Sequence, residues 1–194
     1  DRERLVAETV RRVGPPRILI NNAGIGHKVA VEDEDLDTFR TAMEINVTAI
    51  WHLSKLCAPY MKDAGSGNIV NIASILGLVG SAPIKQAHYC ASKGAVINLT
   101  RELGMQWARR GIRVNAICPG WVETTLIAPQ IQAKIDLHDG DRAAGIADLL
   151  AEKQPSHRMS TPEDIGAVAA FLCSHAAHNI TGAAIPVDGG WTAQ

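Results

Sequence analysis

A serine, a tyrosine and a lysine near the middle of the chain have the types and spacing of an acid–base group. Tyr89 and Lys93 stand four positions apart in a helical pattern and therefore share one face of the predicted helix. An ammonium beside a phenol favours the phenolate, so Lys93 is expected to lower the pKa of Tyr89 from about 10. Ser74 ends the preceding apolar run, where its hydroxyl can hold the substrate oxygen. This group predicts interconversion of an alcohol and a carbonyl.

The elements that must position this group alternate between short apolar runs and longer helical patterns. The runs at 18–20, 69–73, 112–118 and 180–191 predict buried strands, and the patterns at 1–14, 34–62, 89–109 and 161–174 predict helices. Strands that alternate with helices of this length indicate a parallel sheet with helices on both faces. The predicted fold is therefore α/β, a Rossmann-like doubly wound sheet forming one domain over 1–194.

Polar and small residues follow three of the predicted strands. They are the Asn-Asn-Ala-Gly sequence at 21–24, Ser74, and the Pro-Gly pair at 119–120. Ligands of parallel α/β sheets bind beyond the carboxyl ends of the strands, so these residues are expected to converge on one crevice. The long polar segment at about 121–160, which contains helical fragments, is expected to form a lid over it.

Composition and charge exclude several classes of function. The net charge of −1 argues against a nucleic-acid or anionic-membrane partner, and no apolar run approaches the roughly 20 residues of a membrane span. Four widely separated cysteines fit free thiols in a reducing compartment, so a cytoplasmic location is expected. The grouping of Cys173, His175 and His178 matches no strong zinc pattern, and no metal site is predicted.

The motifs, taken in order, resemble the short-chain dehydrogenase/reductase family. The set comprises 21–24, Asn46, Ser74, the Tyr89-x-x-x-Lys93 pair, 119–120 and the Asp-Gly-Gly sequence at 188–190. The resemblance covers the whole chain and implies an NAD- or NADP-dependent oxidoreductase acting on a small alcohol or ketone, with NAD slightly favoured. It also implies a homotetramer, in which the helices at 36–62 and 89–109 would pair across an interface.

The resemblance assigns roles by position. Tyr89 would be the general acid/base, Lys93 would also hold the nicotinamide ribose, Ser74 would bind the substrate oxygen, and Asn46 would hold a water in a proton relay. From the residues alone, Asn46 can equally be a solvent-facing or back-bonded helical asparagine. The remaining residues expected to contact the cofactor are Asn22, Ala23, Gly24, Pro119, Gly120, Val122 and Thr124.

Within the family the chain most resembles the D-3-hydroxybutyrate dehydrogenases. That resemblance rests on the sequences at 117–126, 149–156 and 180–194, and it implies that Lys85 and Gln130 grip a substrate carboxylate between Trp121 and Trp191. Lys85 and Gln130 can equally be exposed loop residues. The pattern departs at Gly26, where those enzymes carry glutamine, and at Leu76, where they carry histidine. A bulkier or less anionic substrate is therefore an alternative, as is the substrate of a 3-oxoacyl-carrier-protein reductase or of a sugar or polyol dehydrogenase.

One part of the family pattern does not occur in this sequence. Family members begin with a strand and a glycine-rich turn that binds the pyrophosphate, followed by the residue that selects NAD or NADP. A longer protein, with about 60 further residues before Asp1, is therefore expected. Without its first strands, the apolar edge at 18–20 would be open and prone to aggregation. The alternative is a non-catalytic, truncated chain that serves as a structural partner.

Overall fold

The computed structural model describes residues 1–151 and 153–193 and contains a four-stranded parallel sheet. Glu152 and Gln194, which fall within the predicted lid and the predicted domain, lie outside the described residues. The strands follow one another across the sheet in chain order: β1 (Ile18–Asn21), β2 (Gly67–Ile72), β3 (Ile112–Pro119) and β4 (Ala184–Val187). The predicted α/β class and parallel pairing are confirmed.

Seven α-helices lie in the described part of the chain. They are α1 (Arg2–Val13), α2 (Leu36–Met43), α3 (Ala49–Asp63), α4 (Ala87–Trp107), α5 (Ala128–Asp136), α6 (Arg142–Ala151) and α7 (Pro162–Cys173). The continuous helix predicted at 34–62 is divided by a π-helical turn at Glu44–Thr48. The apolar stripe continues through that turn, so hydrophobic periodicity alone did not show the division.

The helices cover the two faces of the sheet unequally. On one face α1, α3 and α4 pack against the odd-numbered positions of β2 and the even-numbered positions of β3, for example Ile69 and Val114. On the other face α7 packs against Val70 and Ile117 through Ala169 and Leu172. Strand side chains alternate between faces, so each face buries its own apolar set.

The α7 face of β1 remains open in this chain. Ile18 and Ile20 point away from the α1–α3 core and are 50% and 48% exposed. Leu19, between them, packs into that core. Ile18 and Ile20 therefore form the open apolar surface that the sequence predicts at β1. None of the described helices is long and apolar enough to span a bilayer.

The segment after β3 forms a small helical unit. Helices α5 and α6 pack together around Ile131, Ile135 and Leu149. The close approach depends on Gly145, because a Cβ there would lie 2.8 Å from the backbone of Ile135. The predicted helical fragments of the 121–160 segment are thus α5 and α6.

Candidate active site

Ser74 and Tyr89 meet because a tight turn after β2 packs directly against α4. The turn is the 3₁₀ segment Ile75–Gly77, and Ser74 caps it by accepting a hydrogen bond from Leu76 N–H at 3.1 Å. A Cβ on Gly77 would lie 2.6 Å from the backbone of Lys93, so only glycine allows this approach. The result places the side chains of Ser74 and Tyr89 beside each other, where both line the same two cavities.

Lys93 lies beneath this pair, one helical turn further along α4. Its residue surface is 3% exposed, and Nζ donates a hydrogen bond to the carbonyl of Ile72 at 2.8 Å. Nζ is 5.5 Å from the centroid of the Tyr89 ring. The spacing of four residues thus places the ammonium and the phenol together, as the sequence indicated.

Burial dominates the ionisation of both groups. It raises the pKa of Tyr89 above its ordinary value, while the nearby hydroxyl of Ser74 acts in the opposite direction. It also lowers the pKa of Lys93 to about 8. The sequence predicts that Lys93 lowers the pKa of Tyr89. In the structure desolvation has the larger effect and raises this pKa, because a charged oxygen is costly in this enclosed site.

Asn46 lies in the π-helical turn and is fully buried. Its Oδ1 accepts a hydrogen bond from Ile25 N–H at 2.9 Å, and its Nδ2 donates to Ile25 O at 2.8 Å and to Ser92 Oγ at 3.0 Å. Ser92 in turn donates to the carbonyl of Tyr89 at 2.9 Å. Asn46 therefore holds the loop after β1 against the start of α4, and the solvent-facing alternative is wrong. Its role in a water relay stays a prediction.

A cleft of about 750 Å³ runs from the carboxyl ends of β1, β2 and β3 along the open face of β1, with α7 as its other wall. This volume is in the range of small-molecule and cofactor sites. A Cβ on Gly24 would lie 3.3 Å from both Lys93 Nζ and Asn46 Oδ1, so glycine keeps the space above the ammonium open. Predicted cofactor residues that line the cleft are Asn22, Gly24, Tyr89, Lys93, Pro119, Gly120, Val122 and Thr124. By the resemblance, Asn22 and Gly24 belong to the adenosine side of the cofactor, and Pro119, Gly120, Val122 and Thr124 flank the nicotinamide; these contacts stay predictions.

A second, smaller pocket adjoins the cleft on the far side of Ser74 and Tyr89. Trp121 and Trp191 form one wall, with ring centroids 5.9 Å apart, and Gln130 lies beside them. Trp121 Nε1 and Gln130 Oε1 are both buried without a hydrogen-bond partner among the described residues. Buried polar atoms are rarely left unpaired, so these two are suited to contact a substrate.

Two predicted residues lie elsewhere. The side chain of Lys85 is 68% exposed and sits 3.6 Å from the carboxylate of Glu32, outside both the cleft and the Trp121–Trp191 pocket. Ala23 is exposed and does not line the cleft. In the structure, therefore, Lys85 does not line the substrate pocket and Ala23 does not line the cofactor cleft, as the resemblance implied that they would. Lys85 instead matches the alternative of an exposed loop residue.

Sequence reasoning missed a buried polar chain that ties the strands to α4. Asn21 Nδ2 donates to Asn71 Oδ1 at 2.8 Å, and Asn71 Nδ2 donates to Thr100 Oγ1 at 2.9 Å. Thr100 then donates to the carbonyl of Val96 at 2.8 Å. The signal available in the sequence was an asparagine inside the apolar run of β2, where an unpaired amide would be costly.

Gln154 is a second residue that sequence reasoning missed. It is 1% exposed, and its Oε1 accepts a hydrogen bond from Trp121 N–H at 3.3 Å. Its Nε2 donates to the carbonyl of Arg158. Gln154 therefore connects the end of the lid segment to the residue that follows the Pro119–Gly120 turn. No local pattern marks this role, because both partners are backbone groups and Trp121 is distant in sequence.

The parallel sheet, the crevice at its strand ends and the enclosed Ser–Tyr–Lys group define an α/β protein of the Rossmann type. Comparison with known proteins agrees. A sequence model described as enoyl-(acyl carrier protein) reductase matches residues 1–192. D-beta-hydroxybutyrate dehydrogenase from Cupriavidus necator is 40% identical over 93% of this chain and 69% of its own length.

Two further comparisons extend this picture. A protein named as an inactive 2-(S)-hydroxypropyl-CoM dehydrogenase from Xanthobacter autotrophicus is 39% identical over 97% of this chain and 78% of its own length. The crystal structure of a gluconate 5-dehydrogenase from Burkholderia cenocepacia, in complex with NADP and tartrate, superposes with a TM-score of 0.87 at 32% identity. That superposition covers all of this chain and 71% of the other. The chain belongs to the short-chain dehydrogenase/reductase family of oxidoreductases.

Proposed function

We propose that the protein interconverts a secondary alcohol and a ketone, using NAD or NADP as hydride carrier. The observation that carries the proposal is the placement of Ser74 and Tyr89 side by side above the buried ammonium of Lys93. When bound, the nicotinamide supplies or accepts the hydride. Lys93 and the residues around Gly120 would hold the nicotinamide, and Asn22 and Gly24 would line the adenosine side, because these residues line the cleft beside Tyr89.

The chain's own residues carry out the proton transfer. In oxidation, the phenolate of Tyr89 takes the hydroxyl proton of the substrate while Ser74 holds the same oxygen. In reduction, the phenol of Tyr89 returns that proton to the oxygen. The raised pKa of Tyr89 keeps the phenol protonated at neutral pH, which suits reduction, and oxidation should accelerate as the pH rises.

The pocket beside this group favours an uncharged substituent on the substrate. Leu76 and Gly26 line it at the two positions where D-3-hydroxybutyrate dehydrogenases carry polar residues. Its described lining otherwise contains apolar and neutral polar side chains, and Lys85 lies outside it. We therefore place a neutral secondary alcohol or ketone ahead of a short hydroxy acid, with Gln130 and Trp121 as hydrogen-bonding partners.

The test is dehydrogenase activity on a panel of 3-hydroxybutyrate, a 3-oxoacyl thioester, a polyol and a neutral secondary alcohol, each with NAD and NADP. Tyr89→Phe should lower turnover by about 10²–10⁴-fold. Tyr60→Phe is the matched control, because Tyr60 packs in the α1–α3 core away from the site. Unchanged turnover in Tyr89→Phe would contradict the proposal. A folded protein without turnover or cofactor binding would support the non-catalytic alternative.

The lid, the assembly and the location belong to the same proposal. Leu126 and Ile127, just before α5, line both the cleft and the smaller pocket, which supports a lid formed by α5 and α6. A homotetramer is supported by exposed apolar side chains on the outer helices, including Trp51 and Met105. Sedimentation equilibrium measures the mass of the assembly and so tests whether four chains associate. Free cysteines support the cytoplasmic location.

A further inference from the structure

Three metal-ligating side chains that are distant in sequence converge beside the candidate active site. His27 and Glu34 come from the loop between β1 and α2, and His88 lies at the start of α4. One nitrogen of each histidine and one carboxylate oxygen of Glu34 lie within 4.8 Å of one another. The two imidazole rings stack with centroids 4.0 Å apart, and each has a nitrogen near the carboxylate of Glu34.

The polar atoms of this cluster are enclosed and poorly paired. The side chains of His88 and Glu34 are 0% and 5% exposed. Glu34 Oε1 and His88 Nδ1 are 2.5 Å apart, an ion-pair contact without hydrogen-bond geometry, and neither atom has a hydrogen-bond partner among the described residues. The same oxygen is 3.6 Å from His27 Nε2. A buried carboxylate in this position needs a positive charge, and a bridging cation would supply one.

We propose that His27, Glu34 and His88 bind a divalent transition-metal ion of the zinc class. Two imidazoles and one carboxylate are a ligand set that Zn²⁺ accepts, with water completing a tetrahedron. Oxygen-preferring cations such as Mg²⁺ match this set less well, because imidazole favours first-row transition metals. His27 is 41% exposed, so the metal can enter from its side of the cluster.

Metal binding at this cluster would affect the neighbouring tyrosine. His88 Nε2 accepts a long hydrogen bond of 3.4 Å from the backbone N–H of His27. Coordination through Nδ1 leaves a proton on Nε2, so the loop must shift at His27. The preceding residue, Gly26, packs against the Tyr89 ring. Zinc is therefore expected to change KM or turnover. This effect rests on the proposed function, whereas the binding itself does not.

The binding test is isothermal titration of the chelator-treated protein with Zn²⁺ alone. One ion per chain is expected, and His27→Asn should weaken binding by at least about 10-fold because it removes one ligand. His175→Asn is the matched control, because His175 belongs to a second stacked histidine pair, with His178, on the exposed surface. Unchanged affinity in His27→Asn, or loss of binding in His175→Asn, overturns the site, as does absence of one-to-one binding to the wild type.

A second measurement does not depend on the variants folding. X-ray absorption spectroscopy of the zinc-loaded wild type should show two imidazole ligands and at least one oxygen ligand. A spectrum with one imidazole or none overturns the proposal. A titration with Mg²⁺ should give no comparable heat, and equal binding of both ions would equally contradict the assigned ligand set. If zinc binds as described but no turnover is found on the substrate panel, the metal site stands and the proposed function fails.

Discussion

At the scale of single residues, the burial of Lys93 carries the main free-energy cost of the candidate site. The fold buries an ammonium that water would solvate, and this burial lowers its pKa to about 8. The hydrogen bond to Ile72 offsets part of that cost. Tyr89 is in the reciprocal position, because burial favours its neutral phenol. The site therefore keeps two ionisable groups in an environment that opposes their charged forms, a pattern typical of functional sites.

Lys93→Met is expected to stabilise the protein at pH 7 by about 1–3 kcal/mol and to abolish activity. The folded-state pKa of Lys93 is depressed from 10.5 to about 8, so between these values the unfolded state binds the proton and the folded state does not. The free energy of unfolding of the wild type therefore rises with pH between about 8 and 10.5 because of Lys93. Urea unfolding at pH 7 and near pH 10.5 measures the effect, and the difference between the two proteins should shrink at the higher pH.

The control for that comparison is Lys55→Met, because Lys55 is an exposed lysine on α3. It should change neither the stability at pH 7 nor its pH dependence appreciably. A Lys93→Met protein that is less stable than the wild type at pH 7 would contradict this prediction. It would show that the hydrogen bond from the ammonium to Ile72 stabilises the fold by more than the burial of the ammonium destabilises it.

Gly26→Ala should lower kcat/KM by roughly 10–100-fold while leaving the fold intact. A Cβ at this position would lie 2.6 Å from Cδ2 of Tyr89, so the ring or the loop must move. Gly80→Ala is the matched control, since a Cβ there meets no described atom within 4 Å. Steady-state kinetics on the best substrate of the panel compares the two variants. Equal kinetics would mean that the loop yields without displacing Tyr89.

At the scale of elements, short turns and helix ends bring the site together. The 3₁₀ turn after β2 places Ser74, and the π-helical turn before α3 turns Asn46 inward. A π turn inserts an extra residue into the helix and is frequent at functional sites, which agrees with its position here. The helical character of 34–62 was predicted correctly, although Leu36 and Phe39 of its apolar stripe are exposed. The π-helical interruption depends on the partners that Asn46 finds in Ile25 and Ser92.

The capping box of α7 gives a prediction at this scale. Thr161 Oγ1 accepts a hydrogen bond from Asp164 N–H at 3.2 Å, and Asp164 Oδ2 accepts one from Thr161 N–H at 2.8 Å. Thr161→Ala should lower the free energy of unfolding by about 1 kcal/mol, because a backbone donor loses its partner. Thr161→Ser should retain most of the stability. Urea unfolding of the two variants distinguishes loss of the cap from a general effect of substitution at this position.

At the scale of the whole molecule, one face of the sheet is covered along its length and the other only in part. Helices α1, α3 and α4 bury the first face, while α7 covers β2 and β3 on the second. The half-exposed Ile18 and Ile20 therefore form an apolar surface at the edge of the sheet. An edge strand with exposed apolar side chains is a site of self-association.

Ile18→Lys should reduce concentration-dependent association of this chain, because a charge on an open edge opposes pairing with another copy. Val31→Lys is the matched control, since Val31 is an exposed apolar residue in a loop, 69% accessible, away from the edge. Sedimentation velocity over a range of concentrations measures the effect. The same reduction in both variants would attribute it to net charge rather than to the edge of β1.

The sequence by itself determined the class of fold, the order of the elements and the residues of the candidate acid–base group. These follow from local rules: apolar periodicity, helix and turn signals, and the four-residue spacing that sets Tyr89 beside Lys93. The resemblance to a known family added expected cofactor and substrate residues, most of which line the cleft or the adjoining pocket.

Only the tertiary structure decided what depends on contacts between distant segments. Lys85 reads like a substrate ligand in sequence, but it lies against Glu32 outside the pocket. Desolvation, which opposes the expected effect of Lys93 on Tyr89, depends on how deeply both groups are enclosed. The convergence of His27, Glu34 and His88 likewise has no signature in spacing, because a loop and a helix start bring them together. Burial and long-range proximity are properties of the packed chain, and a linear pattern does not contain them.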